Sequence, residues 1–456
     1  MKRDTIAAVA TAAGRGAIGI LRLSGPEAIR IADAVFRADA GGTLSAGEER
    51  KLRYGTLADG DGRALDRVLA TVSRAPGSYT GEDTAELHCH GAPAVLAAGL
   101  AALFRAGARQ ALPGEFTRRA FLNGKLDLTQ AEAVADLIDA ESAGAARLAA
   151  SQLSGSVRRR AEEIYDGLVG LMAHVQAAID FTEDDVAPVG AEELSRGMED
   201  AAAALGGLLD TAARGRLVRS GVATAIVGRP NVGKSSLLNA LVGYERAIVS
   251  KAPGTTRDTL AERVSLGTVT LRLIDTAGLR AARSEAERQG VSRARAALEE
   301  ALLVLVVVDG SRPLSKADEA VFASLPKRKT ICILNKSDLP QKAEETMLHG
   351  RFGCVLRLSA LSGAGIDALT DAIRALFCGM EPEAGEAVLT NERQTDAASR
   401  ALSALTSARA ALASGMTPDA LLLDLEEAAA SLGEITGRTV REDVVEHIFT
   451  RFCVGK

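Results

Sequence analysis

Gly228-Arg229-Pro230-Asn231-Val232-Gly233-Lys234-Ser235 decides how the middle of the chain folds. The stretch fits G-x-x-x-x-G-K-[ST], follows the strand-like run VATAIV (222–227) and precedes SSLLNALVG (235–243), which reads as a helix. A strand, a loop and a helix in that order are what a phosphate-binding loop requires. Gly228 and Gly233 let the backbone curl so that its N–H groups face phosphate oxygens, and the helix N-terminus adds a favourable dipole. Lys234 reaches the β- and γ-phosphates, the Ser235 hydroxyl suits Mg²⁺, and Asn231, Val232, Gly233 and Ser236 complete the loop's candidate contacts.

Four further elements follow in order. Gly254-Thr255-Thr256-Arg257-Asp258 supplies a second Mg²⁺ hydroxyl in Thr256. Asp275-Thr276-Ala277-Gly278 ends a strand-like run, with Asp275 set to hold Mg²⁺ through water and Gly278 to meet the γ-phosphate. Asn335-Lys336-Ser337-Asp338 ends another, and its carboxylate accepts guanine N1–H and N2–H, which adenine does not offer. Ser359-Ala360-Leu361 presents backbone N–H to guanine O6. The set specifies a guanine-nucleotide domain. The residue after DTAG is Leu279, which cannot orient water as a Gln would, so Arg280, Arg283, Glu285 and Glu287 all stand as candidates for that task.

Outward from this loop the chain shows three regimes. Residues 217–379 alternate strand-like runs (TLRLID, ALLVLVVVD, TICILN, VLRLSA) with amphipathic stretches, the rhythm of a parallel sheet flanked by helices. Residues 120–216 and 380–456 are rich in Ala, Leu and Glu at helical spacing, and Thr129 with Glu132 fits a capping box. Residues 1–119 mix short apolar runs with Gly and Pro punctuation, as in an α+β module. The fold class expected is multidomain: an α+β N-terminal domain, a discontinuous all-α helical domain, and an inserted Ras-like α/β P-loop G domain.

Composition narrows the partners. A net charge of -5 argues against a broad electrostatic grip on nucleic acid, which needs clustered Lys and Arg. The Arg158–Arg160 and Arg214–Arg219 clusters read by default as solvated faces. Cys89, Cys332, Cys354, Cys378 and Cys453 are odd in number and widely spaced, which fits neither a disulfide framework nor a zinc site. Cys89 between His88 and His90 reads as a packed strand. ALLVLVVV (301–308) is far too short to span a bilayer, so a cytoplasmic chain is expected, with no membrane partner.

Motifs outside the nucleotide elements carry a resemblance. GRGAIGILRLSGP (14–26), SYTGEDTAELHCHG (78–91), PGEFTRRAFLNGKLDLTQAEAVADLIDA (113–140) and the terminus RFCVGK (451–456) make the chain similar to the MnmE (TrmE) family of tRNA-modification GTPases. Val454 stands where that family has Ile, and Ala92 where it often has a second Gly. The resemblance implies that 1–119 binds 5-formyl- or 5,10-methylene-tetrahydrofolate and dimerises, with folate contacts on Arg22, Glu86, Lys125 and Lys456. A homodimeric GTPase activated by K⁺ is also implied, the ion being held by Asn231, Ser250, Ala252 and Thr255, with Lys251, Pro253 and Gly254 in the same nucleotide-binding segment. On the same ground Glu287 positions the attacking water, with Arg280 beside it. Family members often have Thr where Ser250 stands. Cys453 has two readings, a small apolar residue or a group taking part in tRNA modification.

The activity implied is GTP hydrolysis coupled to adding a carboxymethylaminomethyl or aminomethyl group at C5 of the wobble uridine. The FAD protein MnmG (GidA) is the expected partner, in a heterotetramer or larger complex, with tRNA as substrate. Two alternatives share part of the pattern. An Era- or Der-type ribosome-assembly GTPase has the nucleotide motifs but not the N-terminal module or the Cys453–Lys456 terminus. A folate aminomethyltransferase-like enzyme would use the G domain only as a regulator.

Overall fold

Alternating apolar and polar residues at 16–24, 64–73 and 84–91 put one face of each segment into a core, and the three become adjacent strands. The computed structural model describes residues 4–180, 190–244, 262–267, 269–274, 298–326, 328–377, 379, 383, 385–440, 442–450 and 452–455. Its elements fall into two compact units, one of 1–135, 161–190 and 407–456, the other of 136–160 and 191–406.

The first unit holds β1 (Ile6–Val9), β2 (Gly16–Ser24), α1 (Ala28–Val35), β3 (Phe36–Ala38), β4 (Arg53–Ala58), β5 (Ala64–Ser73), β6 (Thr84–Gly91), α2 (Pro93–Arg105), β7 (Arg109–Gln110) and α3 (Glu115–Leu122). Its seven-stranded sheet runs β3-β4-β5-β6-β2-β1-β7, antiparallel except where β1 meets β7. Leu21, Leu23, Val68, Val72 and Leu87 project from the sheet into a core shared with α1 and α2, where Ile31 and Leu103 are buried. Cys89 packs there too, and burial pushes its thiol up to about 12.

A helix α4 (Leu128–Ile138) follows. The cap expected from Thr129 and Glu132 sits two residues earlier. The Asp127 carboxylate accepts from the backbone N–H of Thr129 (2.7 Å) and Gln130 (3.0 Å), and the Gln130 side chain accepts from Asp127 N–H at 3.0 Å. Thr129 is fully buried and donates its hydroxyl to Asp127, so it does not face the N-terminal amides that a cap must satisfy.

The remaining helices are α5 (Ala143–Leu153), α6 (Ser156–Asp180), α7 (Ala191–Asp210) and α8 (Ala212–Ser220) before the second sheet, and α13 (Glu392–Ala413), α14 (Pro418–Thr436) and α15 (Glu442–Phe449) at the chain's far end. The second sheet is formed by β8 (Val222–Val227), β9 (Glu262–Leu266), β10 (Val269–Leu273), β11 (Leu303–Asp309), β12 (Lys329–Asn335) and β13 (Val355–Arg357). Between its strands lie α9 (Lys234–Tyr244), α10 (Lys316–Ala323), α11 (Glu345–His349) and α12 (Ile366–Leu376). Strand order is β13-β12-β11-β8-β10-β9, parallel apart from β9. Every residue of β11 is buried, which is why this strand reads as a continuous apolar run with no alternation.

The entry and exit of this α/β region are tied together. Fully buried Gln152 donates to Val388 O (2.8 Å) and Thr390 Oγ1 (3.0 Å), while Thr211 Oγ1 accepts from Leu389 N–H at 3.0 Å. Arg214 pairs with Glu386, and Arg219 with Asp136 at 2.7 Å. Two arginines of the 214–219 cluster therefore serve packing. Among the described residues no helix is long and apolar enough to cross a membrane.

A buried charge network anchors the start of the chain to α3. Arg119, only 3% exposed, donates to Asp4 (2.7 Å), Glu82 (3.0 Å) and Glu115 (3.0 Å), and Glu115 also binds Arg109 at 2.6 Å. Removing one member of a buried ion network leaves its partners uncompensated, at a cost of about 3 kcal/mol. Arg119→Met is expected to lower stability by that order in urea unfolding of the chain. The Arg109 hydrogen bond holds Asp4 below its ordinary range, and the Arg109 and Arg119 contacts outweigh burial to do the same for Glu115. Both carboxylates thus contribute stability that is present above about pH 4 and lost as pH falls through their depressed values. Urea midpoints measured between neutral and acid pH should fall on that side only.

Candidate functional site

The nucleotide loop turns where β8 ends. Gly228 has φ +152°, and a Cβ there would lie 2.3 Å from Val307 O. Gly233 has φ +102°, and its Cβ would meet Asn335 Nδ2 at 2.1 Å. Glycine is required at both positions by contact as well as by backbone conformation. Asn231 also lies in the left-handed region at φ +64°, which Asn tolerates better than most residues.

Lys234 opens α9 and folds its ammonium back onto the loop, donating to Gly228 O (2.8 Å) and Arg229 O (2.7 Å). Burial pushes its pKa down. Ser235 and Ser236 are exposed on the first turn of α9, where a hydroxyl can face a phosphate-bound metal.

The NKSD segment is bonded to the same loop. Asn335, 2% exposed, donates to Val232 O at 2.8 Å and accepts from Ala360 N–H at 3.0 Å. Lys336 (φ +66°) donates to Asn231 O at 3.2 Å and to Asp309 Oδ2 at 2.5 Å. Ser337 N–H bonds Leu358 O at 3.1 Å, Asp338 is exposed, and Ser359 Oγ accepts from Ser362 N–H at 3.2 Å. Leu361 is 88% exposed beside the buried Ala360.

Three of the five sequence elements are thereby brought together. Ser250, Lys251, Ala252, Pro253, Gly254, Thr255 and Thr256 lie outside the described residues, as do Asp275, Thr276, Ala277, Gly278, Arg280, Glu287 and Lys456. Sequence reasoning missed Asp309, whose carboxylate receives Lys336 and Ser311. It also missed Arg229, which reaches Ser315 and Asp318. The Ser-x-x-Asp at 315–318, a capping box in the structure, was the signal available for the latter.

In the N-terminal unit, Arg22 and Glu86 are register partners on β2 and β6, joined at 2.8 Å. The other Glu86 oxygen lies 3.3 Å from His88 Nε2, and the Arg22 guanidinium sits 5.9 Å from the centre of the Phe116 ring. Both charged side chains keep 28% of their surface exposed. Lys125 donates to Pro76 O at 3.1 Å. Cys453 is exposed, and its carbonyl accepts from Gly114 N–H at 3.2 Å, next to a bridge between Pro113 and Val454. Among the described residues no group of three His, Cys, Asp or Glu is arranged to hold a metal ion.

Replacing Asn335 with Ala would leave Val232 O and Ala360 N–H buried without partners, at about 1–3 kcal/mol each. Asn335→Ala should lower the thermal midpoint and weaken guanine-nucleotide binding together, measured by scanning fluorimetry with and without GDP.

Residues 5–125 match the family described as "GTP-binding protein TrmE N-terminus", and residues 128–453 match "MnmE helical domain". The "tRNA modification GTPase MnmE" of Heliobacterium modesticaldum is 44% identical over 466 residues, with 100% of both chains covered. That of Symbiobacterium thermophilum is also 44% identical with 100% of both chains covered. That of Clostridioides difficile is 40% identical over 99% of each. Part of the chain, 40%, also aligns with 65% of Era in complex with MgGDPNP and 16S ribosomal RNA, at 27% identity and a TM-score of 0.27. Two family matches that together run from residue 5 to residue 453, with full-length relatives above two-fifths identity, place this chain in the MnmE family of tRNA modification GTPases.

Proposed function

We propose that the chain binds and hydrolyses GTP to drive modification of the wobble uridine of certain tRNAs. The observation that carries this is the Asn335 junction, which joins the phosphate loop to the guanine-reading loops in a chain whose full-length relatives are named tRNA modification GTPases. Lys234 neutralises phosphate charge, while Ser235 and Thr256 supply Mg²⁺ ligands. Asp338 reads guanine.

Leu279 supplies no water-orienting group, and Glu287 with Arg280 takes that role about the attacking water; as the family resemblance implies, a K⁺ ion held by Asn231, Ser250, Ala252 and Thr255 takes the place of an arginine finger. Activation then comes from a homodimer. In the N-terminal unit, Arg22, Glu86, Lys125 and Lys456 hold the tetrahydrofolate that provides the one-carbon unit; cations suit its glutamate tail and a carboxylate its pterin N–H groups. The FAD partner MnmG completes the reaction on a carboxymethylaminomethyl or aminomethyl product, and Cys453 takes part near the folate.

Rates of GTP hydrolysis by the purified chain in K⁺ and in Na⁺ test the cation role. A large excess in K⁺ is expected, and equal rates would sink it. Asp338→Asn should move base preference from guanine toward xanthine, because an amide donates where the carboxylate only accepts. Competition of GTP and XTP for the variant reads this directly. Glu86→Gln should weaken 5-formyltetrahydrofolate binding about tenfold by calorimetry, by removing a charge-assisted hydrogen bond, with nucleotide affinity unchanged.

A further inference from the structure

The nucleotide loop is fixed at its end by Asn335, through Val232 O. Its beginning is fixed by a different side chain. Arg229 Nη1 donates to Ser315 Oγ at 2.7 Å and lies 3.2 Å from Asp318 Oδ2. Those acceptors form the N-terminal cap of α10: Ser315 is the N-cap, and Asp318 Oδ2 takes both Ser315 N–H (3.0 Å) and its hydroxyl (2.6 Å). Asp318 is 8% exposed, so its charge is held largely away from water, and Arg229 is the cation beside it.

The backbone of the same residue aims the lysine of the phosphate loop. Arg229 O is one of two loop carbonyls that accept the Lys234 ammonium. Turning the Arg229 peptide would therefore re-aim a donor intended for phosphate. The segment between β11 and α10 is thus held at both ends to the nucleotide loops, by Asp309 to Lys336 and by Ser315 and Asp318 to Arg229.

We propose that Arg229 is a positioning residue of the nucleotide site, clamping the start of the phosphate loop to the α10 cap and so holding the carbonyl that orients Lys234. This rests on the reading of 228–235 as a guanine-nucleotide loop. Because the guanidinium is 41% exposed, its contribution is that of a partly screened charged hydrogen bond.

Release of a fluorescent GDP analogue from the full-length chain, with KM and kcat for GTP and the thermal midpoint, tests it. Arg229→Met and Asp318→Asn should each speed release about tenfold and raise KM with little change in kcat. The double variant should release no faster than the faster single one, since both remove the same tie, and Arg229→Lys should recover part of the loss. The proposal is overturned by wild-type release from Arg229→Met, even with a lowered thermal midpoint, or by effects that multiply in the double variant. A wild-type chain that retained no guanine nucleotide would instead overturn the reading of the loop, and this inference with it.

Discussion

Asn335 is an amide whose two ends are both spent, one on the carbonyl of Val232 and one on the N–H of Ala360. It therefore ties together three loops, the first lying 103 residues before Asn335 and the last 25 residues after it. A carboxylate could not donate to Val232, and a hydrophobic residue would leave two buried backbone groups unpaired. Gly233 leaves the room through which this strut approaches, whereas Gly228 makes room for Val307.

What holds Asn335 in position is the sheet beneath. It is the last residue of β12, opposite Asp309 at the end of β11, and the two strands run in register from Leu303 and Lys329 onward. Burial of Val304, Leu305, Val306, Ile331 and Ile333 fastens the two strands into the core. Asp309 and Asn335 stand where the two strands leave the core, at the carboxyl end where ligands of open α/β sheets bind. The N-terminal unit follows a different plan: its sheet keeps one face for α1 and α2 and the other for Arg22, Glu86 and His88.

Much of this was legible beforehand, for a physical reason. Phosphate recognition needs a tight glycine loop and guanine recognition needs a carboxylate at a strand end, so both leave local signatures in the sequence. The buried run of β11 was equally plain. Less legible were contacts made by residues with ordinary local roles. Arg229 looks like any loop arginine until α10 arrives beside it, and Arg214 and Arg219 look solvated until Glu386 and Asp136 are placed. The cap of α4 was misplaced by two residues, because Thr129 and Glu132 match the capping pattern while Asp127 and Gln130 carry it. Two candidates for one local pattern are separated only by burial, and burial is a tertiary property.

The bridge between Pro113 and Val454 bears on how the chain is made. Gly455 lies so close to Val9 that a Cβ would come within 2.2 Å of its carbonyl oxygen, and Phe449 and Phe452 pack in one cluster with Ala131. During synthesis the N-terminal sheet emerges from the ribosome first, yet its neighbours from the far end of the chain emerge only after the nucleotide domain has been translated. These are contacts of very high sequence separation, the slowest kind to form. Throughout that interval the side of α3 that meets Phe449 and Phe452 waits uncovered, so the first unit closes only after the nucleotide domain has been translated.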